Sequence, residues 1–322
     1  MKRKSRQSQN MRSHADAVTV ARGLASSYLY RASVNARKLL KHDNSTEAET
    51  LHGFRVSIRR LRGVLKAYKR AFPAVSKSAR ANLRGIAKAT NRARDLEVII
   101  SWVQSTKNSI DSADHKAWNR IINQLKEAFF SELQRVKDKK LQLFQSSNRT
   151  MAKDLTKTRQ AKSKYGHESF SKATHDMLAN LINLLKVQVE CARHCLDPQL
   201  LHQIRVTTKR ARYLLEPLTD LEDATEIVEH LKELQDELGA IQDRQVLIAF
   251  LIESLAYSKE NPLLSKEHRG ERRVGLKLLE IASKEQSKRI GALNDAWFEQ
   301  HMLPVILKLE ALTSELASVP VE

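Results

Sequence analysis

The chain has 322 residues and a formal net charge of +19, and it contains only nine glycines and six prolines. This length supports a substantial core, while so few turn-forming residues argue against a β-sheet and for an all-α protein. No run approaches the roughly 18 consecutive apolar residues of a membrane-spanning helix, so we expect no membrane partner and a cytoplasmic location.

Apolar periodicity divides the chain into two halves of similar plan. Residues 1–13 are basic and polar with no apolar segment after them, which indicates a disordered tail rather than a secretory signal. The polar stretch 146–166 is the predicted linker between a first repeat at 14–145 and a second repeat at 167–316. The predicted helices lie near 14–41, 47–72, 76–105, 113–145, 168–196, 199–219, 223–258 and 269–316.

One motif occurs twice, 150 residues apart. The pattern Leu-His-x-x-Arg-Val-x-x-x-Arg-x-Arg spans Leu51–Arg62 and again Leu201–Arg212. A second pair of similar segments, Leu83–Ile100 and Leu231–Ile248, follows in the same order at an offset of 148. This order predicts an internal duplication, with two four-helix bundles related by a pseudo-twofold axis around a basic groove.

The positive charge is concentrated in the first half. Residues 1–150 contain 32 Lys and Arg against 11 Asp and Glu, whereas residues 151–322 contain 24 against 26. From Leu51 to Arg94 there are 13 basic residues and no acidic one. Because like charges on neighbouring helical turns repel, such a surface favours a polyanionic ligand that relieves the repulsion. We therefore expect the first half to dominate the affinity for a ligand.

The first motif copy places two stripes on one helix. Apolar residues recur at spacings of three and four and form the stripe that packs on the core: Leu51, Phe54, Ile58, Leu61, Leu65, Tyr68 and Phe72. Cationic residues follow one position later, about 100° around the helix: His52, Arg55, Arg59, Arg62, Lys66 and Lys69. The next helix adds Arg84 and Lys88 to the same groove. The second copy keeps a shorter stripe of His202, Arg205, Lys209 and Arg212, since Glu216 replaces the cation that matches Lys66.

These cationic residues are the predicted binding residues for a phosphate-rich ligand. The planar guanidinium fork of arginine donates several hydrogen bonds to phosphate oxygens, and histidine becomes cationic readily beside an anion. The sequence contains no phosphate-binding glycine loop, nucleophile elbow or acidic magnesium cluster. We therefore expect binding without catalysis, with no catalytic residue, no cofactor and no metal site. Cys191 and Cys195 are expected to be apolar packing residues.

The doubled motif resembles the mark of the CHAD family, the conserved histidine α-helical domain. The matching segments are Leu51–Arg62 and Leu201–Arg212, together with Arg94–Asp95 and Gly239–Asp243, and the resemblance extends over residues 14–316. It implies two antiparallel four-helix bundles around a basic central groove, binding of inorganic polyphosphate and association with polyphosphate granules. The nearly neutral second half departs from an evenly basic pair of repeats.

Two alternative functions would use the same basic face. A nucleic-acid-binding protein would contact phosphates through it, although the sequence has no recognisable base-reading motif and only 5% aromatic residues for stacking on single strands. The other alternative is a metal-dependent phosphohydrolase. Competition between long polyphosphate and DNA at equal charge separates polyphosphate binding from nucleic-acid binding, and metal-dependent release of orthophosphate would indicate the hydrolase.

Overall fold

The computed structural model describes residues 15–41, 47–157, 168–218, 221–259 and 266–318. Within this part of the chain the structure is helical, and extended pairing is limited to one isolated bridge between Asp16 and Ser169. The all-α prediction is therefore confirmed. None of the described helices is long and apolar enough to cross a membrane. The helices are α1 (Ala17–Leu40), α2 (Glu47–Ala67), α3 (Lys77–Ala89), α4 (Asn91–Ser105), α5 (His115–Val136), α6 (Gln142–Thr156), α7 (Phe170–His194), α8 (Pro198–Leu215), α9 (Glu222–Lys259), α10 (Lys266–Gly291) and α11 (Leu303–Ser318).

Side-chain caps explain where two of these helices begin. Asp16 accepts a hydrogen bond from the backbone N–H of Thr19 at 2.8 Å ahead of α1, and Asp197 accepts one from the N–H of Leu200 at 3.0 Å ahead of α8. Pro198 occupies the first position of α8, where its missing N–H needs no partner and its fixed φ suits a helix. The helix that carries the second motif copy therefore begins at a strong local signal.

The helix predicted over 47–72 is shorter than the apolar pattern indicates. α2 ends at Ala67, and a 3-10 turn, Lys69–Ala71, follows it. The apolar spacing does not predict this helix end, because Tyr68 and Phe72, in and after the turn, are buried and continue the helical spacing. The helix predicted over 76–105 is likewise divided into α3 and α4.

Part of the predicted linker, 146–166, is helical. α6 covers the beginning of this stretch, and its side chains Met151 and Leu155 are buried one turn apart. These two apolar anchors hold the segment on the core, so the predicted helix end at 145 is wrong, and the helical structure extends into the first part of the predicted linker. Residues 158–166 of the stretch, and the predicted tail at 1–13, lie outside the described residues.

The chain forms two compact units, and each unit takes helices from both halves of the sequence. Unit 1 comprises Met1–Ala87, Leu143–Leu238 and Asn294–Glu322, and unit 2 comprises Lys88–Gln142 and Gly239–Leu293. These units differ from a grouping of one bundle per half, because packing joins helices that are distant in sequence. The repeat boundaries at 14–145 and 167–316 stay a prediction about duplication.

Unit 1 contains both helices that carry the motif. α1 packs on α2, α7 packs on α8 and α11, and α2 and α8 are in contact. Phe54 on α2 lies edge-on to Phe144, with ring centroids 5.4 Å apart, and Tyr68 stacks on Phe170 at 5.2 Å. The Tyr68 hydroxyl shares a hydrogen bond of 2.9 Å with the hydroxyl of Thr174. The two motif helices are thus anchored in the same unit.

Unit 2 is built on α4, α5 and α10, with α5 in contact with both of the others. Arg244 lies over the Trp102 ring, 4.8 Å from its centroid, and forms an ion pair of 3.0 Å with Glu285. The indole N–H of Trp102 donates to the same carboxylate at 3.2 Å. The guanidinium of Arg244 therefore takes part in the packing of unit 2.

Candidate functional site

The apolar stripe predicted for α2 and the turn after it is confirmed. Each member is buried, with at most 2% of its surface exposed: Leu51, Phe54, Ile58, Leu61, Leu65, Tyr68 and Phe72. This buried face determines the rotation of α2 about its axis. The cationic stripe, one position later in the sequence, must consequently lie at the edge of the core.

The cationic stripe of the first copy is mixed in its exposure. His52, Arg59 and Lys66 are exposed, and Arg62 is half-buried. Arg55 is buried, with 5% of its surface exposed, and it interacts with other groups of the protein. Contact between Arg55 and a ligand stays a prediction, and the burial of Arg55 does not favour it. The exposed members therefore define the accessible part of the stripe.

Three arginines of unit 1, here named the arginine cluster, lie together without an acidic counterpart. Arg59 and Arg62 lie on α2, and Arg84 lies on α3. Burial lowers the pKa of Arg62 from its ordinary value, and the nearby charges of Arg84 and Arg59 lower it further. Among the described residues, no carboxylate forms an ion pair with any of the three. Neighbouring cations that pair with no carboxylate attract an anion from solution.

Arg80 holds α3 in the position that brings Arg84 to α2. Its guanidinium donates to the backbone carbonyl of Leu65 on α2 and, at 3.2 and 3.4 Å, to the carbonyls of Phe72 and Val75. These carbonyls lie near the end of α2 and in the segment that joins it to α3, where carbonyls lack partners within a helix. The spacing of four between Arg80 and Arg84 would place both on one basic face, but the donors of Arg80 are used within the protein.

One predicted site residue lies outside the helix predicted to carry it, and another belongs to unit 2. Lys69 is exposed in the 3-10 turn after α2, so the prediction that it extends the helical stripe is wrong, because α2 ends at Ala67. Lys88 is exposed on α3, four residues after Arg84, and it belongs to unit 2. The part of the stripe that remains on α2 ends at Lys66.

The second motif copy is less accessible than the first. His202 is exposed on α8, whereas Arg205, Lys209 and Arg212 are half-buried. The Arg205 guanidinium donates to the backbone carbonyl of Gln235 at 3.5 Å, and Lys209 also interacts within the protein. Several cations of this copy are therefore engaged in the structure itself.

Glu216 connects the two motif helices. Its carboxylate accepts a hydrogen bond from Nη2 of Arg60 at 2.8 Å and lies 3.5 Å from Nε of Arg212. Arg60 also lies over the rings of Tyr28 and Tyr213, at 5.9 and 5.8 Å from their centroids. The C-terminal parts of α2 and α8 thus meet around a paired carboxylate, an arrangement that the sequence motif does not reveal.

Cys191 and Cys195 are both exposed free cysteines. The prediction that they are packing residues is wrong, because Ala192, and neither cysteine, is buried at this end of α7. In the part of the chain that the structure describes, no group of three or more His, Cys, Asp or Glu side chains is arranged to hold a metal ion.

The fold and this site define an all-helical protein with an arginine cluster that forms no ion pair with a carboxylate within the described residues. The family model of the CHAD domain matches residues 32–252, which is more than half of the chain. The chain therefore belongs to the CHAD domain family, and the resemblance found in the doubled motif is confirmed.

Two solved structures share this fold at low sequence identity. The crystal structure of the CHAD domain from the plant Ricinus communis is 19% identical with a TM-score of 0.63, and the match covers 97% of this chain and 95% of that chain. PptA from Streptomyces chartreusis is 11% identical with a TM-score of 0.56, and the match covers 93% of this chain and 100% of that chain. At these identities the likeness shows the fold alone. No curated protein has significant sequence similarity to this chain.

Proposed function

We propose that this chain binds inorganic polyphosphate, without catalysis, through the cationic face of α2 and the adjoining part of α3. The observation that carries the proposal is the arginine cluster, whose members lie together with no carboxylate paired to them among the described residues. Membership of the CHAD domain family supports it, because the resemblance to that family implies polyphosphate as the ligand.

The spacing of the side chains suits a chain of phosphates. Arg59, Arg62 and Lys66 follow one another by three and four residues, which is about 4.5 and 6 Å along the helix axis. Each phosphate offers oxygens that accept charge-assisted hydrogen bonds, worth about 1.5–3 kcal/mol each. An extended polyphosphate can therefore contact successive side chains, whereas a single orthophosphate would contact only one or two of them.

The predicted duplication would place equivalent residues of the two motif copies close together at the proposed site. Gly63 on α2 and Tyr213 on α8 occupy equivalent positions of the two motif copies, and a Cβ added to Gly63 would lie 4.0 Å from the Tyr213 ring. Contact between equivalent positions is what a twofold relation between the two helices would produce. The predicted basic groove would then run along α2 and α8, with α2 providing most of the affinity.

The proposal assigns no catalytic residue, cofactor or metal to the site. Cationic side chains hold a phosphate chain, but they supply neither a general base nor a nucleophile for its cleavage. A protein that binds long polyphosphate in this way would concentrate on polyphosphate granules in the cytoplasm. Metal-dependent release of orthophosphate from polyphosphate by the purified chain would refute the non-catalytic part of the proposal.

Competition between polyphosphate and DNA tests the choice of ligand. A labelled long polyphosphate is bound to the full chain and displaced, at equal phosphate concentration, by unlabelled polyphosphate, single-stranded DNA or duplex DNA. We expect polyphosphate to displace the label at least about tenfold more effectively than either DNA, because the described site offers cations without stacking or base-reading groups. Stronger displacement by DNA would indicate a nucleic-acid-binding protein instead.

A pair of charge-matched triple variants tests the location of the site. Combining Arg59→Gln, Arg62→Gln and Arg84→Gln should weaken polyphosphate binding by more than about 30-fold and reduce the slope of log Kd against log salt by about two to three. The control removes the same charge from exposed positions of unit 1: Arg149→Gln, Lys153→Gln and Lys172→Gln. The control should weaken binding by less than about threefold, and equal losses would show diffuse binding without a defined site.

A further inference from the structure

One position distinguishes the two motif copies by the sign of its charge. Lys66 in the first copy corresponds to Glu216 in the second at the offset of 150 residues. Lys66 is exposed, and the charges that act on Arg62, one turn before it, are those of other arginines. Glu216 follows Arg212 by the same single turn. The equivalent residues Arg62 and Arg212 therefore have opposite electrostatic surroundings.

The Glu216 carboxylate is held between two arginines beside a groove. Its side chain is 17% exposed, and Arg60 and Arg212 lie 2.8 and 3.5 Å from the same carboxylate oxygen. The Nε atoms of Arg60 and Arg212 are buried and have no hydrogen-bond partner among the described residues. Glu216 and Arg60 line a groove of about 630 Å³ together with Tyr28 and Arg31. Arg60 thus donates a hydrogen bond to the carboxylate through Nη2, whereas Arg212 contributes an ion pair to the same oxygen without a hydrogen bond.

A carboxylate in this position does what a bound phosphate would do. Both anions accept charge-assisted hydrogen bonds from guanidinium groups, and both relieve the repulsion between two neighbouring arginines. A carboxylate that belongs to the chain is always present at the site, so an external phosphate must displace it in order to bind. The arginine cluster of the first copy has no such internal competitor among the described residues.

We infer that Glu216 acts as a built-in counter-anion, which closes the second motif copy to polyphosphate and restricts tight binding to the first copy. This inference rests on the proposed function. Glu216 is then the residue that determines which copy of the motif holds the ligand. Arg212 keeps its place in the motif, but it shares the Glu216 carboxylate with Arg60, so its charge is offset in part and adds less to binding than that of Arg62.

Substitution of Glu216 by glutamine tests the inference in the full chain. Glu216→Gln removes the charge and keeps the side-chain size and an oxygen that accepts the hydrogen bond from Arg60. We expect the affinity for long polyphosphate to rise at least about fivefold, and the slope of log Kd against log salt to become steeper by about one. The control, Glu226→Gln, removes the same charge from an exposed ion pair with Lys308 in unit 1, and it should raise the affinity less than about twofold.

The outcomes separate this inference from the proposed function. If neither the wild type nor the Glu216→Gln variant binds polyphosphate, the proposed function is wrong. If the wild type binds and Glu216→Gln gains no more affinity than Glu226→Gln, polyphosphate binding stands and the inference is overturned. A larger gain for Glu216→Gln, with the steeper salt dependence, supports the inference.

A second measurement does not require the Glu216 variant to fold. In the otherwise wild-type chain, Arg62→Gln should weaken polyphosphate binding at least about tenfold, whereas Arg212→Gln should weaken it less than about threefold. The reason is that Glu216 offsets part of the charge of Arg212, while no carboxylate is paired with Arg62 among the described residues. Melting curves followed by circular dichroism verify that both variants are folded. Equal losses of affinity in the two variants would overturn the inference.

Discussion

The two motif helices share a sequence pattern and differ in what surrounds their arginines. On α2 the arginine cluster has no acidic partner among the described residues, and α3 adds one of its members. On α8, Arg205 donates to a backbone carbonyl, and Arg212 is paired with Glu216. The same residue types therefore leave an accessible arginine cluster in the first copy, whereas Arg205 and Arg212 of the second copy are engaged in internal contacts.

This difference indicates that the motif encodes a cationic helix face, whereas the surrounding residues determine whether that face is available to a ligand. A guanidinium that donates to carbonyls or to a carboxylate has few donors left for a ligand. A guanidinium held among other cations is stabilised when an anion binds. The contrast between Lys66 and Glu216 concerns a single position, yet it reverses the local electrostatics of the two copies.

The largest expected effect comes from Arg80, which supports only the first copy. Arg80→Lys keeps the charge but loses the planar fork that contacts three carbonyls, at Leu65, Phe72 and Val75. We expect the free energy of unfolding to fall by about 2 kcal/mol, measured by urea denaturation. Polyphosphate affinity should also fall about threefold, because α3 would no longer hold Arg84 beside α2.

The control for this variant is Arg135→Lys on α5. Arg135 is exposed and pairs with Glu132 on the same helix, so its replacement should change the free energy of unfolding by less than about 0.5 kcal/mol. If Arg80→Lys has as little effect as the control, the hydrogen bonds of Arg80 do not position α3, and the advantage of the first copy has another origin.

The next largest effect is expected on polyphosphate affinity, when equivalent residues of the two cationic stripes are replaced. Arg59 and Lys209 occupy the same motif position, but Arg59 is exposed whereas Lys209 is half-buried and engaged within the protein. Arg59→Gln should weaken polyphosphate binding about tenfold, equal to about 1.4 kcal/mol, and Lys209→Gln about twofold. Isothermal titration of both variants checks the ratio. Similar losses at both positions would mean that the two copies bind the ligand alike.

The fold class and the core face of α2 could be predicted from the sequence because periodic spacing encodes which side of a helix is apolar. The stripe from Leu51 to Phe72 is accordingly buried. Spacing does not encode a helix end that a distant side chain stabilises. Arg80 donates a hydrogen bond to the carbonyl of Leu65, near the end of α2. Lys69 consequently lies in a turn rather than on the predicted helix.

The residue types of the candidate site could be predicted from the sequence, but the ion pairs that its arginines form could not. Counting charges along the chain finds the acid-free stretch that contains the arginine cluster. Arg55 fits the cationic stripe by its spacing, yet it is buried, because this stripe borders the core. Glu216 reaches Arg60 across 156 residues only because α2 and α8 pack together in unit 1, and helical periodicity contains no information about such a contact.

A smaller effect tests how closely the two copies approach each other. Gly63 and Gly53 both lie inside α2, where alanine is favoured over glycine. A Cβ at Gly63 would make an ordinary 4.0 Å contact with Tyr213, whereas a Cβ at Gly53 would lie 2.9 Å from Nδ2 of Asn35. Gly63→Ala should raise the free energy of unfolding by about 0.5–1 kcal/mol, and Gly53→Ala should raise it less, because Asn35 must move. Destabilisation by Gly63→Ala in urea denaturation would show a tighter contact between the copies.

The smallest effect concerns His52 and His202, which are exposed at equivalent positions of α2 and α8. An exposed imidazole beside a phosphate contributes only a fraction of a kcal/mol. His52→Gln should therefore weaken polyphosphate binding about twofold. His202→Gln should leave the affinity unchanged, since the second copy does not hold the ligand. Binding titrations of both variants check this, and equal losses would place the ligand on both motif copies.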